Sequence, residues 1–259
     1  MCLILFAFKH HPNYPLMIAA NRDEAYNRPT AGAQFWTDHP DIFAGKDLKA
    51  GGTWMGISRN GRFAAVTNVR EKASPNAEFL SRGELVTDFL NSTENTVDCL
   101  EIIKKEQHKY AGFNLLAGEF SARHSHLYYL SNRQETIEKL APGIHGLSNG
   151  TLNQPWPKVT KGIRALKDSI ETCQQAESIV PVLFDSQVAD DKSLPDTGIA
   201  IELERVLSSR FITTESYGTR AATVLTLNAN REVSFYEQEF REKGERGTLN
   251  KQEFTITDP

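Results

Sequence analysis

The amino-acid sequence predicts an α+β protein in which antiparallel sheets are covered by helices. Apolar runs near the N-terminus occur in pairs joined by short loops, which is the pattern of antiparallel hairpins. Segments with apolar residues at three- and four-residue spacing, typical of amphipathic helices, are grouped between blocks of strands. This grouping argues against a doubly wound parallel sheet, in which single strands and helices would alternate.

The first predicted hairpin begins at Cys2. The run from Cys2 to Phe8 is apolar at every position, which predicts a strand buried on both faces. A second apolar run ends at Ala20, and the loop between the runs is centred near Pro12, so paired positions sum to about 24. This register puts Cys2 roughly opposite Arg22 and close to Asp23. A slip of one residue would change which side chain shares the Cys2 face.

The remaining elements follow from the same periodicities. A second hairpin is predicted from 51–57 and 63–68, with a turn at Asn60-Gly61. The other predicted segments are helices at 84–90 and 97–103, strands at 113–116 and 127–130, helices from 157 to 170, from about 176 and at 199–207, and strands at 222–227 and 232–236. With no repeat and no linker, we expect a single domain over residues 1–259, with a loose polar tail from about 240.

Composition excludes several classes of function. The 29 Lys and Arg residues against 33 Asp and Glu residues give a net charge of −4 without a basic block, which argues against nucleic-acid binding. Three scattered cysteines cannot form a disulfide framework, so we expect a reducing, cytoplasmic environment. The apolar N-terminal run has no basic segment before it and no cleavage site after it, and it is too short to cross a bilayer. We therefore expect no integral membrane segment.

Cys2 is the most informative residue. Removal of Met1, which is permitted when the next residue is small, would expose a thiol and an α-amine on one residue. That pair is a nucleophile with its own base, as in hydrolases that use an N-terminal threonine. A nearby Arg would favour the thiolate. The alternative is that Cys2 is a small hydrophobic residue at the start of a strand.

Motifs along the chain resemble those of the NRDE family, which is named for its Asn-Arg-Asp-Glu motif and contains the transport and Golgi organisation protein 2 homologues. The resemblance covers residues 1 to about 240 and rests on Met1-Cys2, Asn21-Arg22-Asp23-Glu24, Gly51-Gly52-Thr53-Trp54, Ser81-Arg82-Gly83-Glu84-Leu85, Gly112-Phe113-Asn114-Leu115-Leu116, Gly146-Leu147-Ser148-Asn149, Pro155-Trp156-Pro157-Lys158 and Tyr217-Gly218-Thr219-Arg220. It implies an N-terminal-nucleophile (Ntn) hydrolase-like fold, a four-layer αββα sandwich of two antiparallel sheets between helical layers. The family is associated with secretory organisation, mitochondrial lipid metabolism and trafficking of haem or acyl lipid, and no reaction is firmly attached to it.

The sequence is also distantly similar to cysteine Ntn hydrolases of the choloylglycine and penicillin V acylase type. This likeness implies Cys2 as the nucleophile and Asp23 as the residue that holds the α-amine. It implies two oxyanion-binding amides and a distal arginine, which correspond here to Asn68, Asn149 and Arg220.

One departure from those hydrolases concerns the arginine that should accompany the nucleophile. It stands three residues before Asp in those enzymes, whereas here Arg22 adjoins Asp23 and Ala20 takes its place. Adjacent strand residues point to opposite faces. Either the strand ends at Asn21 and a turn lets both side chains converge, or Arg22 is not the partner of the thiolate and forms an internal salt bridge.

No metal site is predicted. His124 and His126 share a strand face, but no further ligands complete a cluster around them. His10 and His11 lie in the hairpin loop, and haem ligation there has no support beyond the family association. Phosphate-loop, dinucleotide-binding and zinc-ribbon motifs are absent from the sequence. We therefore expect no cofactor, with haem as a candidate bound ligand only.

These observations give two hypotheses. The first is an Ntn-type amidohydrolase or acyltransferase that acts on non-peptide C–N bonds or thioesters of a small molecule through an acyl-Cys2 intermediate. The residues expected to support Cys2 are Arg22, Asp23, Asn68, Asn149 and Arg220. The second is a non-catalytic protein that binds or carries an apolar ligand, haem or an acyl lipid, on the same fold. The sequence does not predict the oligomeric state.

Overall fold

The computed structural model describes residues 2–71, 78–122, 124–171 and 176–257. These residues form two compact units: one comprises Met1–Asn27, Arg70–Ala73 and Pro142–Phe254, and the other comprises Arg28–Val69, Ser74–Ala141 and Thr255–Pro259. Each unit contains one antiparallel sheet with helices packed against it. The predicted α+β class is confirmed.

The strands and helices of the described residues follow in chain order. The strands are β1 (Cys2–His11), β2 (Tyr14–Ala25), β3 (Thr30–Phe35), β4 (Ile42–Asp47), β5 (Met55–Ser58), β6 (Arg62–Asn68), β7 (Phe113–Phe120), β8 (Ser125–Ser131), β9 (Glu138–Lys139), β10 (Gly143–Leu147), β11 (Tyr217–Leu227), β12 (Glu232–Phe240) and β13 (Arg246–Thr255). The α-helices are α1 (Arg82–Asn91), α2 (Thr96–Glu106), α3 (Pro157–Glu171) and α4 (Ile201–Val206).

The sheet of the first unit has the strand order β10-β1-β2-β11-β12-β13. One face of β1 contributes Leu3 and Leu5 to a core cluster that includes residues of α3 and of the 3-10 segment Ala176–Leu183. The alternate residues Ile4 and Phe6 are fully buried as well. The predicted burial of both faces of β1 is therefore confirmed.

The sheet of the second unit has the order β3-β4-β5-β6-β7-β8-β9. Helices α1 and α2 bury their apolar faces against it, with Phe89 and Leu100 fully buried. The predicted turn at Asn60-Gly61 joins β5 to β6, and Gly61 adopts a φ of 82° that a side chain would disfavour.

Three expectations about local structure were incomplete or wrong. The helix expected from Ala176 is a 3-10 segment, in which Pro181 lacks the N–H that a longer α-helix needs. Residues Arg246–Thr255 of the expected loose tail form β13, beside β12, where the side-chain amide of Gln238 donates to the Gly247 carbonyl at 3.0 Å. Strands β3, β4 and β10 were not predicted, because their sequences are rich in small and polar residues.

Candidate functional site

Cys2 begins β1 and lies directly opposite Arg22 of β2, in the register predicted from the loop. Residues opposite each other in an antiparallel pair share a face, so the Arg22 side chain is on the Cys2 side of the sheet. The strand does not end at Asn21, since β2 continues to Ala25. Asp23 therefore projects from the opposite face, and no turn brings Arg22 and Asp23 together.

The environment of the Cys2 thiol opposes its ionisation. The side chain is buried, with 8% exposed, and this desolvation raises the pKa of the thiol; the charge of Asp23 raises it further. The charge of Arg22 and a backbone hydrogen bond from Asp23 lower the pKa but do not compensate. The expectation that a nearby arginine favours the thiolate is confirmed for the Arg22 contribution, but burial outweighs it and the net shift of the Cys2 pKa is upward.

The Asp23 carboxylate is held on the other face of the sheet. Thr219 donates its hydroxyl to Asp23 Oδ1 at 2.7 Å, and the Tyr217 hydroxyl donates to the Asp23 carbonyl at 2.9 Å. Both partners come from β11, where the pairing shifts so that Thr219 lies opposite Asp23 and Ala221 lies opposite Arg22. Burial raises the pKa of Asp23, and the positive charge of Lys158 opposes that rise.

The second neighbour of Cys2 is the segment that follows β10. Ile4 pairs with Leu147, and continuing that register by two residues brings Asn149 level with Cys2. The Ser148 hydroxyl lies 3.0 Å from the Cys2 carbonyl oxygen and 3.2 Å from Asn149 Oδ1, and it can donate to either. Asn149 is buried. Cys2 is thus flanked by Arg22 on one side and by this segment on the other.

Arg220 anchors backbone near the end of β2. It is the extra residue at the register shift of β11, and its guanidinium donates to the carbonyls of Ala25 and Tyr26 at 3.0 and 2.9 Å. Burial and the like charge of Arg22 lower its pKa. Its role as the distal arginine stays a prediction.

Arg22 and Glu24 form an ion pair on the Cys2 side of the sheet, with 3.6 Å between Nη2 and Oε2. Glu24 also accepts a hydrogen bond from the Ala25 amide at 2.9 Å, at the end of β2. The internal salt bridge considered for Arg22 is therefore present, and it coexists with the position opposite Cys2.

Asn68 belongs to the second unit, where it ends β6 and is half-buried. Its side-chain amide donates to the Val69 carbonyl at 3.4 Å, a long hydrogen bond within the same unit. Its function as an oxyanion donor stays a prediction.

Lys158 is a residue that the sequence analysis did not assign to the site. It occupies the first turn of α3 and is only 2% exposed. Its Nζ atom has no hydrogen-bond partner among the described residues. Burial lowers the pKa of Lys158 to about 8, although the negative charge of Asp23 acts to raise it. The signal available in the sequence was its spacing: Lys158 stands four, eight and twelve residues before the core positions Gly162, Leu166 and Ile170.

A second buried ion pair lies near Lys158. Arg70 and Glu204 of α4 pair through Nη1 and Oε2, and Thr197 donates its hydroxyl to the other oxygen of Glu204. The guanidinium of Arg70 also stacks over the Trp156 ring, 4.8 Å from its centroid, and its backbone N–H donates to the Asn149 carbonyl at 2.7 Å. Arg70 therefore contacts α4 through Glu204, the Trp156 ring and the backbone of Asn149.

No group of three or more His, Cys, Asp or Glu side chains suited to a metal ion occurs among the described residues. His124 and His126 stack at 5.2 Å between ring centroids, and His124 lies 3.2 Å from Glu119.

Within the described ranges, no helix combines the length and apolar character needed to cross a bilayer.

The fold is that of the Ntn hydrolases. It is shared with a solved structure of a Caenorhabditis elegans N-acylethanolamine-hydrolyzing acid amidase ortholog, with a TM-score of 0.50 and 11% identity over 86% of this chain and 92% of that one.

The chain belongs to the Transport and Golgi organisation 2 (TANGO2) family, whose model matches residues 1–242. It is 35% identical to the Transport and Golgi organization 2 homolog of Mus musculus, over 99% of both chains. It is also 35% identical to the homolog of Homo sapiens, over 94% of each chain, and 26% identical to the Drosophila melanogaster protein, over 97% of this chain and 96% of that one.

Proposed function

We propose that the protein is an Ntn-type hydrolase or acyltransferase that acts on a small amide or thioester through an acyl-Cys2 intermediate. The observation that carries the proposal is the position of Cys2, at the start of a central strand between Arg22 and the Ser148-Asn149 segment. The Asp23 carboxylate is fixed on the adjacent strand by Thr219. The likeness to the amidase ortholog supports the fold alone.

The proposed reaction starts with removal of Met1, which converts the Cys2 nitrogen into a free α-amine. The amine accepts the thiol proton as Cys2 Sγ attacks the acyl carbon, which forms a C–S bond and a tetrahedral oxyanion. Because burial disfavours a resting thiolate, proton transfer to the amine at the moment of attack fits this site better than a permanently ionised sulfur.

Collapse of the oxyanion breaks the bond to the leaving amine or thiol, which takes the proton from the α-ammonium group. Water then attacks acyl-Cys2, loses a proton to the α-amine and releases the carboxylic acid with the thiol restored. In acyl transfer, a second amine or thiol takes the place of water. Asn149, in the same unit as Cys2, is the proposed oxyanion donor.

The test combines intact mass with acyl capture. The purified protein should lack Met1 and should gain the mass of one acyl group when treated with nitrophenyl acetate and nitrophenyl octanoate. Cys2→Ala should lose this capture, Cys2→Ser should keep a slower form of it, and Cys99→Ala, which removes a buried cysteine of the second unit, should behave as wild type. Retained Met1, or equal acylation of wild type and Cys2→Ala, would refute the proposal.

The second candidate function is binding or trafficking of haem or an acyl lipid without catalysis. The observation that favours it is the burial of the Cys2 thiol, which raises the pKa and suits a structural cysteine. Titration of Cys2→Ala with hemin or a fluorescent fatty acid separates the two candidates. A carrier would keep its affinity in this variant, and its wild-type form would show no acyl-enzyme with the nitrophenyl esters.

A further inference from the structure

Asn149, the proposed oxyanion donor, lies in the loop between β10 and α3, beyond the last residue of β10 that pairs with β1. A hydrogen-bond donor that stabilises a transition state has to keep its position within about 0.5 Å. Because Asn149 is outside the strand ladder, its position depends on the contacts that other segments make with this loop.

One such contact comes from Arg70, which is distant in the sequence but belongs to the same compact unit as Asn149 and Cys2. The backbone N–H of Arg70 donates to the Asn149 carbonyl at 2.7 Å. Arg70 is itself outside the helices and strands of the structure. This hydrogen bond can therefore hold Asn149 only as firmly as Arg70 is held by its own side chain.

The side chain of Arg70 is anchored at two points. Its Nη1 atom donates to Oε2 of Glu204 in α4, and the Thr197 hydroxyl donates to the other oxygen of that carboxylate. The guanidinium also lies over the ring of Trp156, the residue before α3, at 4.8 Å from the ring centroid. With only 4% of the Arg70 side chain exposed, water does not compete for these contacts.

The Trp156 ring contacts the same loop from a second direction. A Cβ atom on Gly150, the residue after Asn149, would come within 3.0 Å of Cζ2 of this ring. Arg70 covers the ring and also bonds to the Asn149 carbonyl. Arg70 thus holds Asn149 directly through the backbone and indirectly through the ring on which the next residue rests.

The Arg70–Glu204 pair is not explained by stability alone, because replacing a buried ion pair by apolar side chains is often neutral or stabilising. Nε and Nη2 of Arg70 have no hydrogen-bond partner among the described residues, and each such buried donor costs free energy. A guanidinium retained at this cost fits a role in fixing the geometry of the loop.

We propose that Arg70 is a positioning residue for Asn149: anchored by Glu204 and Trp156, it fixes the loop that presents the oxyanion donor to the acyl group on Cys2. This inference rests on the proposed function of Cys2 and Asn149. It requires Arg70 to affect acylation of Cys2, in which an oxyanion forms. Alkylation by iodoacetamide should not depend on Arg70, since the sulfur then displaces iodide and no oxyanion forms.

The experiment compares the rates of Cys2 acylation by nitrophenyl acetate and of Cys2 alkylation by iodoacetamide at pH 7.5. Arg70→Lys keeps the charge but loses the planar group that pairs with Glu204 and stacks on Trp156. It should slow acylation about tenfold, less than the hundredfold or more expected for loss of an oxyanion donor, and leave alkylation unchanged. Arg164→Lys, at an exposed position of α3, is the matched control and should match wild type in both rates.

A double-variant comparison identifies Asn149 as the residue through which Arg70 acts. Once Asn149→Ala has removed the donor, adding Arg70→Lys should slow acylation no further. If Arg70→Lys fails to fold, Arg70→Met/Glu204→Met, which leaves neither partner of the ion pair without the other, should show the same selective loss of acylation.

Equal slowing of acylation and alkylation, or effects of Arg70→Lys and Asn149→Ala that multiply in the double variant, would overturn the role of Arg70. Equal acylation of wild type and Arg70→Lys would overturn that role alone. Wild-type protein that is alkylated at Cys2 but never acylated would instead refute the proposed function, and the role of Arg70 with it.

Discussion

Thr219 donates its hydroxyl to Asp23 Oδ1 at 2.7 Å, across 196 residues of sequence. The same hydroxyl accepts a hydrogen bond from the Ile212 amide at 2.9 Å, so one buried side chain connects the end of β2, the start of β11 and the loop before it. This connection sets the orientation of the carboxylate that the proposed mechanism requires.

Replacing Thr219 by Val should destabilise the protein by about 1–3 kcal/mol, because the isosteric change removes the buried hydroxyl that donates to Asp23 Oδ1 and accepts from the Ile212 amide. The free energy of unfolding from urea titration at pH 7 measures the effect. Thr213→Val, at an exposed position nearby, should stay within about 0.5 kcal/mol of wild type. A similar loss in both variants would contradict the assigned role.

The free energy of unfolding should rise between pH 8 and 10.5 because of Lys158. Its pKa is lowered to about 8 in the folded protein from an ordinary value of 10.5, so the unfolded chain binds more protons in this window. The contribution is on the order of 3 kcal/mol across the window. It should be absent from Lys158→Met and present in Lys161→Met, which changes an exposed lysine of the same helix, when chemical denaturation is followed at each pH. If the free energy of unfolding changed with pH in the same way for wild type and Lys158→Met, the contribution of Lys158 would be disproved.

Asp23→Asn should slow acyl capture by about ten- to a hundredfold, because the α-amine of Cys2 would be less well oriented. The amide keeps an oxygen for the Thr219 hydroxyl, so the fold should persist. The variant should also lower the pKa of Lys158 further, since Asp23 is the charge that raises it most. Stopped-flow acylation gives the rate, and Glu215→Gln, on an exposed loop, is the control. Unchanged capture in Asp23→Asn would remove Asp23 from the mechanism.

Cys2 should react with iodoacetamide faster than Cys99 at pH 7.5. Burial raises the pKa of both thiols, and an arginine opposes that rise at each of them, Arg22 at Cys2 and Arg62 at Cys99. The difference is that, after removal of Met1, Cys2 would carry an α-amine that can accept its thiol proton. Cys173 lies outside the described residues. Quantitative peptide mapping of the labelled protein measures each rate. Labelling of Cys2 no faster than of Cys99 would favour the carrier function.

Gly218→Ala should destabilise the first unit by about 1–3 kcal/mol through overpacking. A Cβ atom at this position would lie 2.1 Å from the Tyr26 hydroxyl and 2.6 Å from the Ile212 carbonyl, and the carbonyl belongs to backbone that cannot easily withdraw. Gly247→Ala, whose Cβ would come no closer than 3.3 Å to its neighbours, is the matched control. Thermal unfolding followed by circular dichroism compares the two, and equal midpoints would contradict the prediction.

The sequence alone determined the local elements and one register. Two continuous apolar runs and the short loop between them are local features, and they correctly paired Cys2 with Arg22. The motifs implied the family, which the family model confirms, and the fold, which the structure confirms. Strands such as β10 and β13 escaped prediction, because short or polar strands take their stability from neighbours distant in sequence.

Only the tertiary structure decided the electrostatics of the candidate site. The pairing of β2 with β11 brought Thr219 to Asp23, and the packing of α3 buried Lys158 beneath the same strand. The sequence suggested that a cation would favour the Cys2 thiolate, whereas burial gives the thiol a raised pKa. The physical reason is that the sequence specifies which side chains carry charge, whereas the desolvation of each group depends on which distant segments pack around it and exclude water.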